Sequence, residues 1–160
     1  MFAIAPTDPD SPDARTLLTE LGAALAGITG SDGSASFDAA DVRGPRACFL
    51  VARAPDGSPA GCGALRPLAD GVAELKRMYA RPGSGAGAHL LAALERHALA
   101  FGYRELWLET RRVNLRAVAF YERHGYRVIP NFGKYAGRAE AVCLGKPVAW
   151  TAGAGAAPGR

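Results

Sequence analysis

A run of alternating glycines is the segment of this 160-residue chain whose residue types most directly suggest ligand chemistry. Residues 83–89 read GSGAGAH, between a predicted strand and a predicted helix. Glycines let the backbone approach a ligand without a Cβ in the way, and a helix N-terminus offers unpaired N–H groups and the positive end of its dipole. The segment therefore predicts an anion site suited to a pyrophosphate, with a flexible connector as the alternative.

Each residue of this loop and of the following helical turn is a candidate phosphate contact: Gly83, Ser84, Gly85, Ala86, Gly87, Ala88 and His89. Two common nucleotide motifs are absent from the sequence. No G-x-G-x-x-G is followed by an acidic residue about 20 positions later, and no G-x-x-x-x-G-K-[ST] occurs. The loop is therefore neither a dinucleotide fingerprint nor a P-loop.

Hydrophobic spacing predicts the elements around this loop. Leucines at helical intervals predict a helix over about 12–27, and a second helix follows the glycines over 87–101. Apolar runs separated by turn residues predict strands at 47–52, 59–66 and 72–81, joined as an antiparallel meander. The full order is β, α, β-β-β, α, β, α, β, β, which indicates an α+β protein with a mixed sheet and a parallel crossover.

In the third of these strands, side chains that alternate strictly divide between the two faces of the sheet. We expect one face to carry Glu74, Lys76 and Met78, and the other to carry Leu75, Arg77 and Tyr79.

Composition bounds the class of protein. A chain of 16.6 kDa with 49% hydrophobic residues suits one globular domain, and no apolar run is long enough to cross a membrane. The net charge of +4 comes from scattered arginines, which argues against nucleic-acid binding. Three widely spaced cysteines form no metal or disulfide pattern. We therefore expect buried thiols in a protein of the reducing cytoplasm.

Several segments together resemble the GNAT superfamily of N-acetyltransferases. Residues 74–82 (ELKRMYARP) and the glycine loop resemble its core motif, and residues 105–110 (ELWLET) resemble its next strand. Residues 117–126 (AVAFYERHGY) resemble its Y-x-x-x-G-[FY] signature. The resemblance covers about 47–146 and implies a GNAT-like fold whose sheet is splayed between its fourth and fifth strands.

This resemblance implies one acetyltransferase domain over 1–147, with no metal and with acetyl-CoA as co-substrate. A small-residue tail over 148–160 is expected to be disordered. The pyrophosphate would lie on the glycine loop, and the backbone of Met78, Tyr79 and Ala80 would pair with the pantetheine arm. The family pattern [RQ]-x-x-G-x-[GA] places Pro82 where Arg or Gln belongs, and the loop is short. Arg81, one position earlier, is the candidate replacement.

Catalytic roles also follow from the resemblance. It implies that Tyr121 protonates the leaving thiolate, that Glu74 helps to deprotonate the amine through water, and that Asn114 lies near the pantetheine. Both reactions suit these residue types, because an ammonium must lose a proton before attack and a thiolate must gain one. Without the resemblance, Tyr121 is a half-buried helix aromatic. Glu74 is then either a solvated charge on a strand or an ion-pair partner of Lys76 or Arg77.

Four residues are predicted to line the pocket for the acceptor amine. Glu109 and Thr110 end a strand that faces it, and Phe132 and Tyr135 lie in a loop between the last two strands that often lines it in the family. That loop could equally be an exposed hairpin turn.

The loop over 30–45 is a second candidate wall, where Arg43 and Arg46 could hold a carboxylate. The resemblance to the GNAT superfamily thus implies an enzyme that moves an acetyl group to a primary amine of a small molecule or peptide by direct transfer in a ternary complex. The alternative is a non-catalytic acyl-CoA-binding or regulatory module, which the shortened loop favours. A homodimer is possible, and neither nucleic acid nor membrane is an expected partner.

Overall fold

The computed structural model describes residues 1–149, in which seven strands and three α-helices follow the predicted order. The elements are β1 (Ala3–Pro6), α1 (Pro12–Thr29), β2 (Cys48–Arg53), β3 (Pro59–Ala69), β4 (Val72–Ala80), α2 (Ala86–Ala100), β5 (Glu105–Arg111), α3 (Leu115–Arg123), β6 (Arg127–Ile129) and β7 (Ala141–Pro147). Short 3-10 turns at Ser34–Ser36 and Ala39–Val42 lie in the predicted loop after α1.

The strands form one mixed sheet in the order β1-β2-β3-β4-β5-β7-β6. All neighbouring pairs are antiparallel except β4 and β5, which the crossover through α2 makes parallel. Leu17 of α1 belongs to a core cluster with Phe49 and Val51 of β2. Leu90 of α2 and Tyr121 of α3 belong to a larger cluster on the other face of the sheet. The predicted α+β class is confirmed.

A β-bulge interrupts β4 and changes which side chains share a face. The β3–β4 register moves from Ala64↔Lys76 to Cys62↔Tyr79, and Arg77 within this step has a φ of 55°. The extra residue shifts the alternation by one. Met78 consequently packs in the core that contains α2, and Tyr79 packs in the core that contains α1. The expected grouping of Met78 with Lys76 is therefore wrong.

The glycines of β3 allow α2 to lie close to the sheet. A Cβ placed on Gly61 would lie 2.5 Å from the Tyr79 carbonyl oxygen and 2.8 Å from Leu90 Cδ1. A Cβ on Gly63 would lie 2.7 Å from Leu94 Cδ1. A side chain at either position would thus force neighbouring atoms to move.

We expect Gly61→Ala to lower the free energy of unfolding by about 1 to 3 kcal/mol, because the strand backbone at Tyr79 cannot move without cost. Gly44→Ala is the matched control, since a Cβ placed on Gly44 would have no atom within 4 Å. Urea unfolding curves of the two variants give the comparison. Equal midpoints would show that the sheet and α2 adapt to the added methyl group.

The end of the described chain packs against the domain. The predicted tail starts at Val148, which donates its backbone N–H to the Arg104 carbonyl and packs against the core. Residues 150–160 lie outside the described residues. Within the described part of the chain, every helix is too short or too polar to span a bilayer.

Candidate active site

A cleft opens where β4 and β5 separate. The two strands pair only over Val72↔Glu105, Ala73↔Leu106 and Glu74↔Trp107. Beyond these pairs β4 continues along β3 and β5 continues along β7, as the predicted splay requires. The cleft between them has a volume of about 340 Å³.

The side of the cleft nearest α3 is mainly apolar. Its lining residues here are Leu75, Met78, Leu108, Asn114, Ala117 and Tyr121. The Asn114 side chain caps α3 by accepting the Ala117 N–H at 3.2 Å. Tyr121 follows Asn114 by seven positions, or two helical turns, so both residues lie on the same face of α3.

Tyr121 combines a buried ring with an unpaired hydroxyl group. Its side chain packs edge-on against Phe120 and Tyr126 and is 8% exposed. Among residues 1–149 its hydroxyl makes no hydrogen bond, and burial raises the pKa of the phenol. The hydroxyl therefore keeps its proton at neutral pH and has a donor to offer to a group in the cleft.

The opposite side of the cleft contains a buried ion cluster. Glu74, 3% exposed, accepts a hydrogen bond from Arg66 at 2.7 Å and one from the Tyr135 hydroxyl at 3.2 Å. Lys76 Nζ lies 3.8 Å from the second carboxylate oxygen of Glu74 and donates to the Ser36 carbonyl. Burial is the main cause that lowers the pKa of Lys76. Glu74 is therefore an ion-pair partner of Lys76, as one interpretation of the sequence had it. The interpretation of Glu74 as a solvated charge is wrong, because the residue is buried.

Glu109 is the second carboxylate of the cleft and is less tightly held. Its one ion-pair partner is Arg111 at 3.2 Å among the described residues, and its side chain is 13% exposed. Burial raises the pKa of Glu109 above its usual value, although Arg111 and Lys76 oppose this shift. A carboxylate with a raised pKa is a stronger base than an ordinary one, so Glu109 is suited to accept a proton.

The glycine loop lies beyond the C-terminal end of β4, next to α2. Gly83 and Gly85 have φ values of 78° and 75°, which favour glycine. Among the described residues, no atom lies within 4 Å of a Cβ placed on either. Ser84 Oγ accepts the Ala86 N–H at 3.2 Å at the start of α2. A Cβ on Gly87 would lie 3.4 Å from the Phe120 ring, so this glycine allows α2 and α3 to approach closely. The exposed His89 ring packs against Phe2 in a tilted arrangement, with ring centroids 5.4 Å apart.

Several predicted site residues are engaged with other partners. Arg81 forms two hydrogen bonds to Glu20 of α1, at 2.9 and 3.0 Å, and Tyr79 donates to the same carboxylate. Arg43 pairs with Asp8 and Asp10. The role of Arg81 as a replacement for the missing loop cation stays a prediction, and it would require the ion pair with Glu20 to open.

The remaining predicted pocket residues divide between the cleft and the core beside it. Thr110 and Tyr135 line the cleft. Phe132 packs on Trp107 and Tyr135, with ring centroids 5.3 and 5.4 Å apart, and so supports the wall from behind. Arg46 stacks over the Tyr103 ring at 4.3 Å and bonds the Phe101 carbonyl.

Sequence reasoning did not single out several polar residues that border the cleft, among them Ser36, Lys76, Lys134 and Arg138. The alternation of β4 could have indicated Lys76, because it shares a face with Glu74 before the bulge. The others lie on loops whose course the residue spacing does not determine.

The three cysteines Cys48, Cys62 and Cys143 are buried with free thiols, as expected. Burial raises the pKa of Cys48 to about 11 and that of Cys62 to about 12.

Comparison with known proteins identifies the family. The model of the acetyltransferase (GNAT) family matches residues 18–126, which include the splayed strands, the glycine loop and Tyr121. The chain belongs to the GNAT acetyltransferase family. It is therefore an acyltransferase, and the resemblance seen in the sequence is confirmed. Among the curated proteins, no significant match is found.

Solved structures show the same fold. A protein from Klebsiella pneumoniae assigned as an acyl-CoA N-acyltransferase gives a TM-score of 0.77 at 29% identity, over 92% of this chain and 98% of that one. A GNAT acetyltransferase from Elizabethkingia anophelis with acetyl-CoA bound gives 0.67 at 16% identity, over 91% and 97%. The PaiA N-acetyltransferase from Thermoplasma acidophilum, in complex with coenzyme A, gives 0.66 at 20% identity, over 92% and 99%. This GNAT protein thus has the complete fold of these relatives.

Proposed function

We propose that this GNAT protein is an N-acetyltransferase that moves an acetyl group from acetyl-CoA to a primary amine of a small molecule or peptide in a ternary complex. One observation carries the proposal. The cleft between the splayed strands is lined both by Tyr121, whose hydroxyl is unpaired among the described residues, and by the carboxylate residue Glu109. A donor and a base that face the same cleft are what amine acylation requires.

The residues around the cleft fit acetyl-CoA. Past Glu74, the backbone groups of β4 that face β5 have no strand partner within residues 1–149, so residues 75–80 can pair with an extended pantetheine arm. Gly83 and Gly85 leave open space at the start of α2 for a pyrophosphate. Two structural relatives were solved with acetyl-CoA or coenzyme A, which supports the same ligand here. When bound, acetyl-CoA would supply the activated acetyl group as a thioester.

Tyr121 would stabilise the departing thiolate. Its raised pKa keeps the proton on the phenol, and the hydroxyl has no competing acceptor within the described residues. It can therefore give the developing negative charge a hydrogen bond or its proton. Asn114 and Ala117 line the same wall and would confine the sulfur to it.

Glu109 is the stronger candidate for the base. The sequence pointed to Glu74, but both carboxylate oxygens of Glu74 already accept hydrogen bonds, and two cations lie beside them. Glu109 has one cation partner and a raised pKa. We therefore assign the proton transfer from the ammonium to Glu109, and to Glu74 the positioning of Lys76 and Tyr135.

The positions and pKa values of the cysteine thiols are consistent with direct transfer of the acetyl group from acetyl-CoA to the amine. An acyl-enzyme route through cysteine requires a thiolate in the cleft. Cys48 and Cys62 are buried thiols with pKa values of about 11 and 12, and none of the three cysteines lines the cleft. The amine would therefore attack the thioester itself.

Titration calorimetry with acetyl-CoA tests the cofactor assignment, and an amine screen that follows release of the CoA thiol tests turnover. Ala88→Glu adds a carboxylate at an exposed position of the first turn of α2, where it would repel a pyrophosphate. Ala92→Glu, exposed one turn later, is the matched control. We expect Ala88→Glu to weaken binding at least about tenfold. An acidic residue in the first turn stabilises a helix, so this loss would not reflect unfolding.

Three results are informative. Binding that only Ala88→Glu weakens, together with amine-dependent thiol release, supports the proposal. Tight binding with no turnover on any amine would favour the non-catalytic acyl-CoA-binding module. Absence of binding to the unmodified protein would contradict both functions.

A further inference from the structure

The charges around the cleft are unbalanced. Two carboxylates line it, from Glu74 and Glu109, whereas the cationic lining residues are Lys76, Arg77, Arg111, Lys134 and Arg138. A concave surface with one predominant sign of charge concentrates ligands of the opposite sign. The excess positive charge therefore requires an explanation that amine acetylation alone does not give.

The ion pairs do not remove this excess. Glu74 forms its shortest pair with Arg66, which is not a lining residue, and Glu109 pairs with Arg111. Lys76 is 3.8 Å from Glu74 but shares it with Arg66. Within residues 1–149, Lys134 and Arg138 form no ion pair with a carboxylate.

Three of the lining cations, Lys76, Lys134 and Arg138, are called the cationic wall below. Lys76 and Lys134 both donate to the Ser36 carbonyl, Lys134 at 3.5 Å, so their ammonium groups lie close together. Repulsion by Lys134 is one of the effects that lower the pKa of Lys76. Arg138 follows the short 3-10 turn Gly133–Tyr135 that contains Lys134, and its side chain is exposed. Two like charges held near one carbonyl are stabilised when an anion binds between them.

We infer that the acceptor of this enzyme is an amine that also carries an anionic group, a carboxylate or a phosphate, which Lys134 and Arg138 bind at the mouth of the cleft. This inference rests on the proposed N-acetyltransferase function. Glu109 would face the ammonium end of such a zwitterion, and the cationic wall would bind its other end. A diamine or polyamine would place a second positive charge against Lys76 and Lys134.

The pyrophosphate of acetyl-CoA does not account for the wall. Residues 81–90, which contain the predicted pyrophosphate site, contribute nothing to the lining of the cleft in the described chain. That site follows the C-terminal end of β4 at Ala80, whereas Lys134 and Arg138 lie between β6 and β7. The predicted pyrophosphate site and the cationic wall are therefore separate regions.

A matched series of small amines tests the inference by binding, independently of turnover. The probes are β-alanine, its amide, aminoethyl phosphate and a diaminoalkane, titrated by calorimetry with and without desulfo-CoA. We expect β-alanine or aminoethyl phosphate to bind at least about tenfold more tightly than the amide, since a charge-assisted bond contributes this much. The preference should weaken as salt is added.

The double variant Lys134→Gln/Arg138→Gln should abolish this preference, and Arg96→Gln, at an exposed position of α2, should retain it. Which anionic probe binds more tightly distinguishes a carboxylate from a phosphate acceptor. Equal affinity for the amide, tighter binding of the diaminoalkane, or a preference that survives in the double variant would overturn the inference. Failure of acetyl-CoA to bind would instead contradict the proposed function, so the two failures are distinguishable.

Discussion

Tyr121→Phe is expected to lower kcat about 100-fold, the loss typical when one donor to a developing charge is removed. The affinity for acetyl-CoA should not change, because the ring keeps its packing against Phe120 and Tyr126. The free energy of unfolding should also be nearly unchanged, since the lost hydroxyl has no partner among the described residues. Amine-dependent thiol release, calorimetry and urea unfolding give the three measurements.

Tyr126→Phe is the control for this prediction. Tyr126 packs 5.6 Å from Tyr121, and its hydroxyl donates to Glu95 at 2.8 Å instead of facing the cleft. We expect it to lose about 1 to 2 kcal/mol of stability, as for a bond to a charged acceptor, with kcat retained. If both tyrosine variants keep full activity, Tyr121 has only a packing role.

Glu74→Gln is expected to reduce stability by about 3 kcal/mol, because removing one partner of a buried pair leaves the other charge uncompensated. Arg66 and the largely buried Lys76 would lose the carboxylate that both contact. Urea unfolding measures this loss. If Glu74→Gln instead folds with unchanged stability and loses activity, Glu74 is the base that the sequence pointed to.

Glu109→Gln should show the opposite pattern, with kcat/KM reduced about 100-fold by loss of a general base. In the unmodified enzyme, activity should rise with pH through the raised pKa of Glu109, and the variant should lack this rise.

The raised pKa of Glu109 also makes the stability of the protein depend on pH. Glu109 stabilises the folded state below the pKa that it has in the unfolded chain, and this stabilisation is lost as the pH rises through its pKa in the folded protein. At neutral pH, Gln removes a buried charge, so the unfolding midpoint should be equal or higher. A pH–rate profile that still rises in Glu109→Gln would exclude this base.

Periodicity was sufficient for the element order but not for the bulge in β4. The spacing of Leu90, Leu91 and Leu94 indicates a buried helix face, and the structure buries all three. A residue with positive φ such as Arg77 carries no comparable signal, because the conformation depends on how β3 and β4 are held. One inserted residue then reversed the faces of Met78 and Tyr79.

The apolar side and the charged side of the cleft also differ in how far the sequence could predict them. Asn114 and Tyr121 share one helix face through their spacing alone, so the sequence could place them together. The contacts of Lys76 and Lys134 with Ser36 join residues that are far apart in the chain and lie partly on loops. Loop courses depend on tertiary contacts and not on periodic patterns, which is why these contacts of Lys76 and Lys134 could not be predicted.

The burial of all three native cysteines has a practical consequence for measuring motion in this enzyme. Buried thiols with pKa values of about 11 and 12 react slowly with alkylating dyes. A single cysteine introduced on the exposed surface would therefore be the preferred labelling site without prior removal of the native ones. Fluorophores attached in pairs across the cleft could then report how far the loop after α1 and the loop between β6 and β7 separate when each substrate enters.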